Sequence, residues 1–166
     1  IWGLQLAKAA GLHAIITSSS ADKLARAREL GADGLINYRD TPEWQDEVLR
    51  LTHGEGAHVV LEVGGEGTLV RSVAAARMGG TIGIIGGVSG FAATPVSPLA
   101  LIAGSKRLQG IFVGSRKMLE DVTRLVHTAR IAPVIDRVYG FDEAPAAFEH
   151  LASGRHFGKI VIRVDV

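Results

Sequence analysis

A chain of 166 residues, 47% apolar and 21% charged, can bury one sizeable core and has the composition of an ordinary globular domain. Its formal net charge of +1, with Lys and Arg interspersed among Asp and Glu, supplies no basic field for nucleic acid and no acidic tail. The absence of Cys excludes a disulfide framework, a thiolate metal site and a cysteine nucleophile, and it makes a reducing compartment, the cytoplasm, the expected location. Gly, Lys, Arg or Asp interrupts each apolar run before the roughly 20 residues of a membrane span, so a soluble protein is expected.

The opening run IWGLQLAKAAG has no methionine, no basic leader and no polar tail, and is already a helix pattern ending at Gly11; it reads as the interior of a longer chain. HAIIT, His13 to Thr17, is a short apolar run bounded by serines, the form of a buried strand. In SSADKLARARELG, Ser19 is placed to cap a helix, with Asp22 three residues on in a partial capping box and Gly31 to close it. Gly34 to Tyr38 reads as the next strand. Thr41 followed by Pro42 predicts a helix start, with the helix running through Trp44, Val48 and Leu51 to near Gly54, and AHVVLEV is a further strand. Thr68 to Met78 predicts a helix, Gly79 and Gly80 a turn, and TIGIIG a strand whose glycines admit another backbone or a ligand. Ser97 and Pro98 open a short helix through Ala103, and LQGIFVG gives another strand. Ser115 caps a longer helix with Met118, Leu119, Val122, Leu125 and Val126 on one face. After Pro133 come an extended segment, VIDRVYGF, a helix, DEAPAAFEHLASG, with Asp142 at its cap, and a closing strand, GKIVIRV.

Strands alternating with helices of about ten residues predict parallel strands joined by right-handed crossovers, an α/β chain with a doubly wound, Rossmann-like sheet. Such a sheet takes its ligand beyond the carboxyl ends of the strands. The residues there are Thr17 to Lys23, Tyr38 and Arg39, Glu62 to Gly67, Gly86 to Ser89, and Val113 to Arg116. Turns this rich in Gly and Ser suit a polar, phosphorylated ligand, and equally suit tight turns alone. In EVGGEG, the glycines Gly64, Gly65 and Gly67 do not complete a G-x-G-x-x-G phosphate loop, because Val70 holds the last position. The six His residues form no H-E-x-x-H pair and no cluster with carboxylates, and no G-x-S-x-G elbow is present. The acid pairs Asp46, Glu47 and Glu120, Asp121 read as solvated helix faces.

The runs LQLAKAAG, SSSADKLARARELGAD, INYR, EVGGEGTL, GGTIGIIGG, LQGIFVGSR and DEAPAAFEHLASGRHFGKIVIRV follow one another in register over essentially the whole chain. In that order and spacing they resemble the carboxyl-terminal half of a medium-chain dehydrogenase/reductase, from the branch of zinc-type alcohol dehydrogenases and quinone oxidoreductases. The resemblance implies the cofactor-binding portion of an oxidoreductase that moves hydride between NADP(H) and an alcohol, enone or quinone; it identifies no catalytic residue, and catalysis by this stretch alone is not expected. It also implies that the first strand and its Gly-rich phosphate loop precede the opening helix. In a sheet of order 3-2-1-4-5-6 that strand is central, so a gap is expected between two buried edges. On the same basis residues 1–131 form the dinucleotide-binding domain, incomplete at its N-terminal side. Residues 132–166 return to pack on a catalytic domain further upstream. No zinc is expected in this portion.

In a dinucleotide fold an acid at the end of the second strand accepts hydrogen bonds from the adenosine ribose and repels a 2′-phosphate. Ser18 and Ser19 stand there instead, Lys23 follows on the next helix, and Tyr38 with Arg39 ends the neighbouring strand. Hydroxyls, an ammonium, a phenol and a guanidinium converging on a dianion predict NADP(H) ahead of NAD(H). The resemblance agrees, since a Lys and a Tyr at this spacing are phosphate contacts in the quinone oxidoreductase branch. Each residue also has a plainer role: Ser19 as a cap, Lys23 as solvated surface, Arg39 paired with an acid; and Asp22 could reach a ribose if the turn were longer. The resemblance puts Val63, Gly64 and Gly65 below the cofactor ribose, and Gly86, Gly87, Val88, Phe112 and Val113 at the nicotinamide end. Two other functions fit the same rhythm. One is a nucleotide-using transferase such as a methyltransferase, against which Lys23 and Tyr38 count because its ligand has no 2′-phosphate; the other is a non-catalytic, self-associating fragment. The apolar strand around Ile111, late in the winding order, is expected at a sheet edge where two copies pair as a homodimer, as members of the family commonly do.

Overall fold

The structure, a computed structural model, describes residues 1–92 and 94–164. In chain order the elements are α1 (Trp2–Ala9), β1 (Ile15–Ser18), α2 (Ala21–Glu29), β2 (Gly34–Asn37), α3 (Trp44–Leu51), β3 (Ala57–Glu62) and α4 (Leu69–Ala75). They continue as β4 (Ala76–Ile84), α5 (Pro98–Ala103), β5 (Arg107–Gly110), α6 (Arg116–Thr128), β6 (Ile135–Tyr139), α7 (Ala144–Ala152) and β7 (Lys159–Ile162). Every strand pair is parallel, as the alternation of strand and helix requires. The fold is a doubly wound, Rossmann-like α/β arrangement.

The sheet is divided. β1 pairs with β2, β3–β4–β5 form a second sheet, and β6 pairs with β7; among the described residues no ladder joins β1 to β3. The expected gap lies there. Val59, Leu61 and Val63, on one face of β3 and just beyond it, are 62%, 54% and 50% exposed, an unusual state for apolar side chains of a parallel strand. α1 begins beside this face, where a Cβ at Gly3 would meet Leu61 Cδ1 at 2.6 Å.

Three apolar clusters hold the layers together. Leu4, Ala14, Ala27 and Phe157 join α1, β1 and α2 to the segment before β7. Ile36, Trp44, Val48 and Ala75 join β2 and α3 to α4 across the division. Val73, Ala76 and Ile82 pack under Val60, Leu69 and Leu101. Ile82 is fully buried and Ile36 nearly so; burying each such side chain stabilises the fold by about 1.5–3 kcal/mol.

Several boundaries differ from the sequence expectation, each for a structural reason. The cap of α2 is Ser20, whose hydroxyl accepts from Lys23 N at 3.3 Å, and not Ser19. α3 starts at Trp44 with Glu43 before it, two residues beyond Pro42, because Thr41 N is used in the turn that ends β2, donating to Asn37 O at 2.9 Å. The Ala-rich run expected to stay helical to Met78 turns extended at Ala76, where parallel pairing with Ala57 begins. Gly79 and Gly80 then lie inside β4, at the irregularity that shifts its register from Ala57↔Ala76 to Val59↔Thr81. β5 stops at Gly110, because its partner β4 ends at Ile84. Ile111 donates its N–H inward to Ile84 O at 2.9 Å; the open edge of β5 is therefore served by the alternate residues Leu108 and Gly110. Asp142 sits inside a 3-10 turn (Phe141–Glu143), and Glu143 is the residue before α7, its carboxylate accepting from Gly140 N at 2.9 Å.

Candidate cofactor-binding site

The parallel register pairs Ser18 with Asn37, and Tyr38 N donates to Ser18 O at 3.1 Å, so the carboxyl ends of β1 and β2 lie side by side. Ser18, Ser19, Tyr38 and Arg39 are thereby brought to one corner, with Lys23 on the first turn of α2. Since Ser20 is the cap, the Ser19 hydroxyl is not engaged in capping. Ser18 Oγ accepts from Ser20 N at 3.2 Å, which closes the turn tightly and keeps Asp22 on the exposed face of α2. Among the described residues the side chains of Tyr38 and Arg39 have no hydrogen-bond or ion-pair partner; Arg39 uses only its backbone N–H, to Asn37 Oδ1. Lys23 is half-buried, and its ammonium donates to Gly154 O at 2.5 Å, in the turn between α7 and β7.

A second group of loops follows β3 and β4. Val88 N and Ser89 N donate to Val63 O and Gly64 O at 2.9 and 2.7 Å, and Glu66 N to Gly90 O at 3.2 Å. The Ser89 hydroxyl donates to Gly64 O and accepts from Gly67 N, at 2.7 and 2.9 Å. Gly65, at φ 89°, is needed here twice: its backbone angle is left-handed, and a Cβ on it would sit 2.4 Å from Gly90 O. Val63, Gly64, Gly65, Gly86, Gly87 and Val88 thus form one interlocked pair of turns. Phe112 and Val113 follow β5 and are 97% and 74% exposed, outside the core clusters.

Sequence reasoning did not single out Glu62. The last residue of β3, it is 3% exposed, and its carboxylate accepts from Gly64 N, Gly65 N and Thr68 Oγ1 at 2.6, 2.9 and 2.6 Å, and also from Ser72 Oγ. The signal was available: an acid ending an apolar strand, followed by two glycines and by hydroxyls on the next helix. The grouping fills the turn that resembles a phosphate loop with the chain's own carboxylate.

Residues after 131 reach back to this half of the fold. Asp136 on β6 accepts from Phe157 N at 3.0 Å and from Arg26 of α2 at 3.3 Å, and its other oxygen lies 3.5 Å from His150 Nε2. The Phe157 amide first, then Arg26, hold the Asp136 carboxyl below the usual carboxylate range. Lys8 and the Ala14 amide do the same for Asp33, at the start of β2. Together with the bond from Lys23 to Gly154, these contacts seat the α7–β7 turn against α2.

A family profile described as zinc-binding dehydrogenase matches residues 1–128, more than three quarters of the chain. The chain belongs to the zinc-binding dehydrogenase family. A zinc-type alcohol dehydrogenase-like protein of Schizosaccharomyces pombe is 41% identical over 99% of this chain and 48% of its own length. A crystal structure of an NAD-dependent alcohol dehydrogenase superposes with a TM-score of 0.87 at 33% identity, over 98% of this chain and 47% of that one. A crotonyl-CoA carboxylase/reductase in complex with NADP gives 0.86 at 25%, over 97% and 46%. The chain therefore spans about half the length of the relatives it matches. By family this zinc-binding dehydrogenase chain is classed with enzymes, the dehydrogenases and reductases. The residues present do not fit zinc: the chain has no Cys, and among the described residues no three His, Asp or Glu side chains are grouped to hold a metal ion. No helix among the described residues is long and apolar enough to cross a membrane.

Proposed function

We propose that this chain is the cofactor-binding portion of an oxidoreductase that uses NADP(H), acting in the full-length protein on an alcohol, enone or quinone. One observation supports the reading: β1 and β2 end side by side, so that Ser18, Ser19, Tyr38 and Arg39 follow adjoining strand ends, Lys23 lies on the first turn of the next helix, and no acid ends β1. Two cations, a phenol and hydroxyls match a dianionic 2′-phosphate, and an ordinary ribose gives them no charged partner. Within this reading Lys23 and Arg39 bind the phosphate, Tyr38 and the serines orient it, and the interlocked turns at Val63–Gly65 and Gly86–Val88 support the ribose and nicotinamide end. Phe112 and Val113 form an apolar wall beside that end. NADPH, when bound, supplies the hydride.

The unpaired edges of β1 and β3 fit one further parallel strand from upstream, and its loop would supply the phosphate-cradling amides this chain lacks. Residues 1–131 are then the dinucleotide-binding unit, and residues 132–166 the part facing the catalytic domain. The open edge of β5 fits a second copy of the chain, giving a two-fold homodimer. Absence of Cys favours the reducing cytoplasm.

Isothermal titration of the full-length protein with NADPH, NADH and S-adenosylmethionine tests the reading. NADPH is expected to bind about tenfold or more tightly than NADH, the discrimination of one charge-assisted contact, and S-adenosylmethionine is expected to give no heat. Equal affinities, or tighter NADH, refute the phosphate assignment; binding of S-adenosylmethionine alone points to a transferase.

A further inference from the structure

The Glu62 carboxylate is buried without a cation. Among the described residues it forms no ion pair, and its charge is met by two successive backbone amides, Gly64 N and Gly65 N, and two hydroxyls, Thr68 and Ser72. Consecutive amides converging on one anion form a nest, the device by which backbones elsewhere hold phosphate. Here the anion belongs to the chain. A buried carboxylate left without those four donors would be costly, so the turn and the carboxylate hold each other in place.

The consequence reaches a second loop. The far side of the same turn offers Val63 O and Gly64 O to Val88 N and Ser89 N, and Ser89 Oγ bridges Gly64 O and Gly67 N. Glu66 Oε2 then accepts from Ala92 N at 2.7 Å. One carboxylate thus sets the backbone of both turns that flank the carboxyl ends of β3 and β4.

We propose that Glu62 is a positioning residue for the dinucleotide: an internal anionic ligand that fills the Gly64–Gly65 nest, bars phosphate from it, and fixes the two turns against which the cofactor lies. This role rests on the cofactor reading given above. It differs from that of Lys23, because shaping both turns serves NADPH and NADH alike.

The test uses the full-length protein, wild type and the variants Glu62→Ala and Glu62→Gln, with melting temperature, affinity for both dinucleotides, and the amide proton shifts of Gly64 and Gly65 as readouts. Glu62→Ala is expected to weaken NADPH and NADH together, by about 10- to 100-fold, the usual effect of losing a residue that holds a site in shape. Added formate, a free carboxylate, restores affinity and the two amide shifts in Glu62→Ala and changes neither in wild type. Glu62→Gln keeps one acceptor oxygen and the side-chain volume, so it falls between the two and supplies a folded comparison should the alanine variant unfold. A folded variant that binds both dinucleotides like wild type, with only its melting temperature lowered, overturns the proposal, as does formate that leaves Glu62→Ala unchanged. A wild type that binds neither dinucleotide overturns the functional reading and this role with it; the Gly64 and Gly65 shifts then report separately whether the carboxylate occupies the nest.

Discussion

Replacing Lys23 by Ala removes one ammonium from the corner where β1 and β2 end. A charge-assisted hydrogen bond contributes about 1.5–3 kcal/mol, which at 1.36 kcal/mol per decade is about a 10- to 160-fold loss of NADPH affinity. NADH has no 2′-phosphate, and its affinity should hold within about twofold, the kT-scale effect of an exposed charge. In the structure the same ammonium donates to Gly154 O. It has three hydrogens, so it can keep that bond and still meet a phosphate. The substitution therefore also loosens α2 from the α7–β7 turn, at a cost of about 1 kcal/mol in unfolding free energy. Nicotinamide fluorescence titrations of both dinucleotides, at one fixed ionic strength, separate the two effects, with urea unfolding to measure the second. Equal weakening for NADPH and NADH, or no change in either with the fold intact, would refute the assignment of Lys23 to the phosphate.

Three further outcomes are expected. Ser20→Ala should cost about 0.5–2 kcal/mol of stability, the loss of a helix cap, and leave the NADPH to NADH ratio alone, whereas Ser19→Ala should lower that ratio with little change in melting temperature; the reverse pattern would exchange their roles. The folded-state pKa of Asp136 is depressed by the Phe157 amide and Arg26, so its contribution to stability is complete above the ordinary carboxylate pKa and fades as pH falls from there through the depressed value. Asp136→Asn should accordingly lower the melting temperature at neutral pH and flatten its decline in acid, and parallel wild-type and variant curves would show that the carboxylate contributes nothing. Leu108→Pro removes an N–H from the open edge of β5, where a proline at Ile111 would break the bond to Ile84 instead; sedimentation equilibrium should find the wild type dimeric and this variant monomeric, and a monomeric wild type would exclude the edge as an interface.

The order of strands and helices was legible because β-branched runs such as IITS and the punctuating glycines report local preference directly. What failed was wherever a partner strand decides. The alanines at 74–76 favour a helix, yet Ala76 pairs with Ala57, and β5 ends because β4 does. Three consecutive serines offer three equivalent caps, and the choice of Ser20 follows from where β1 stops pairing with β2. That Ser18 and Tyr38 end neighbouring strands could be foreseen, since adjacent parallel strands end together. The bond from Lys23 to Gly154 spans 131 positions and leaves no local trace. The Glu62 nest depends on donors two, three, six and ten residues away, which meet only after the chain has turned into α4.

The division between β1 and β3 also bears on mechanics. Within each half, ladders of directional backbone bonds fix the strands at a set spacing and register. Across the division the link on one face is the apolar cluster of Ile36, Trp44, Val48 and Ala75, joined by the ion pair of Arg71 with Glu43 at 2.9 Å, and it holds the halves by side chains and not by a ladder. In the full-length protein, amide exchange in β2 and in β4 should report whether the two ladders open together. A further strand laid into the division would add two ladders beside that contact and make β1 and β3 parts of one continuous plate.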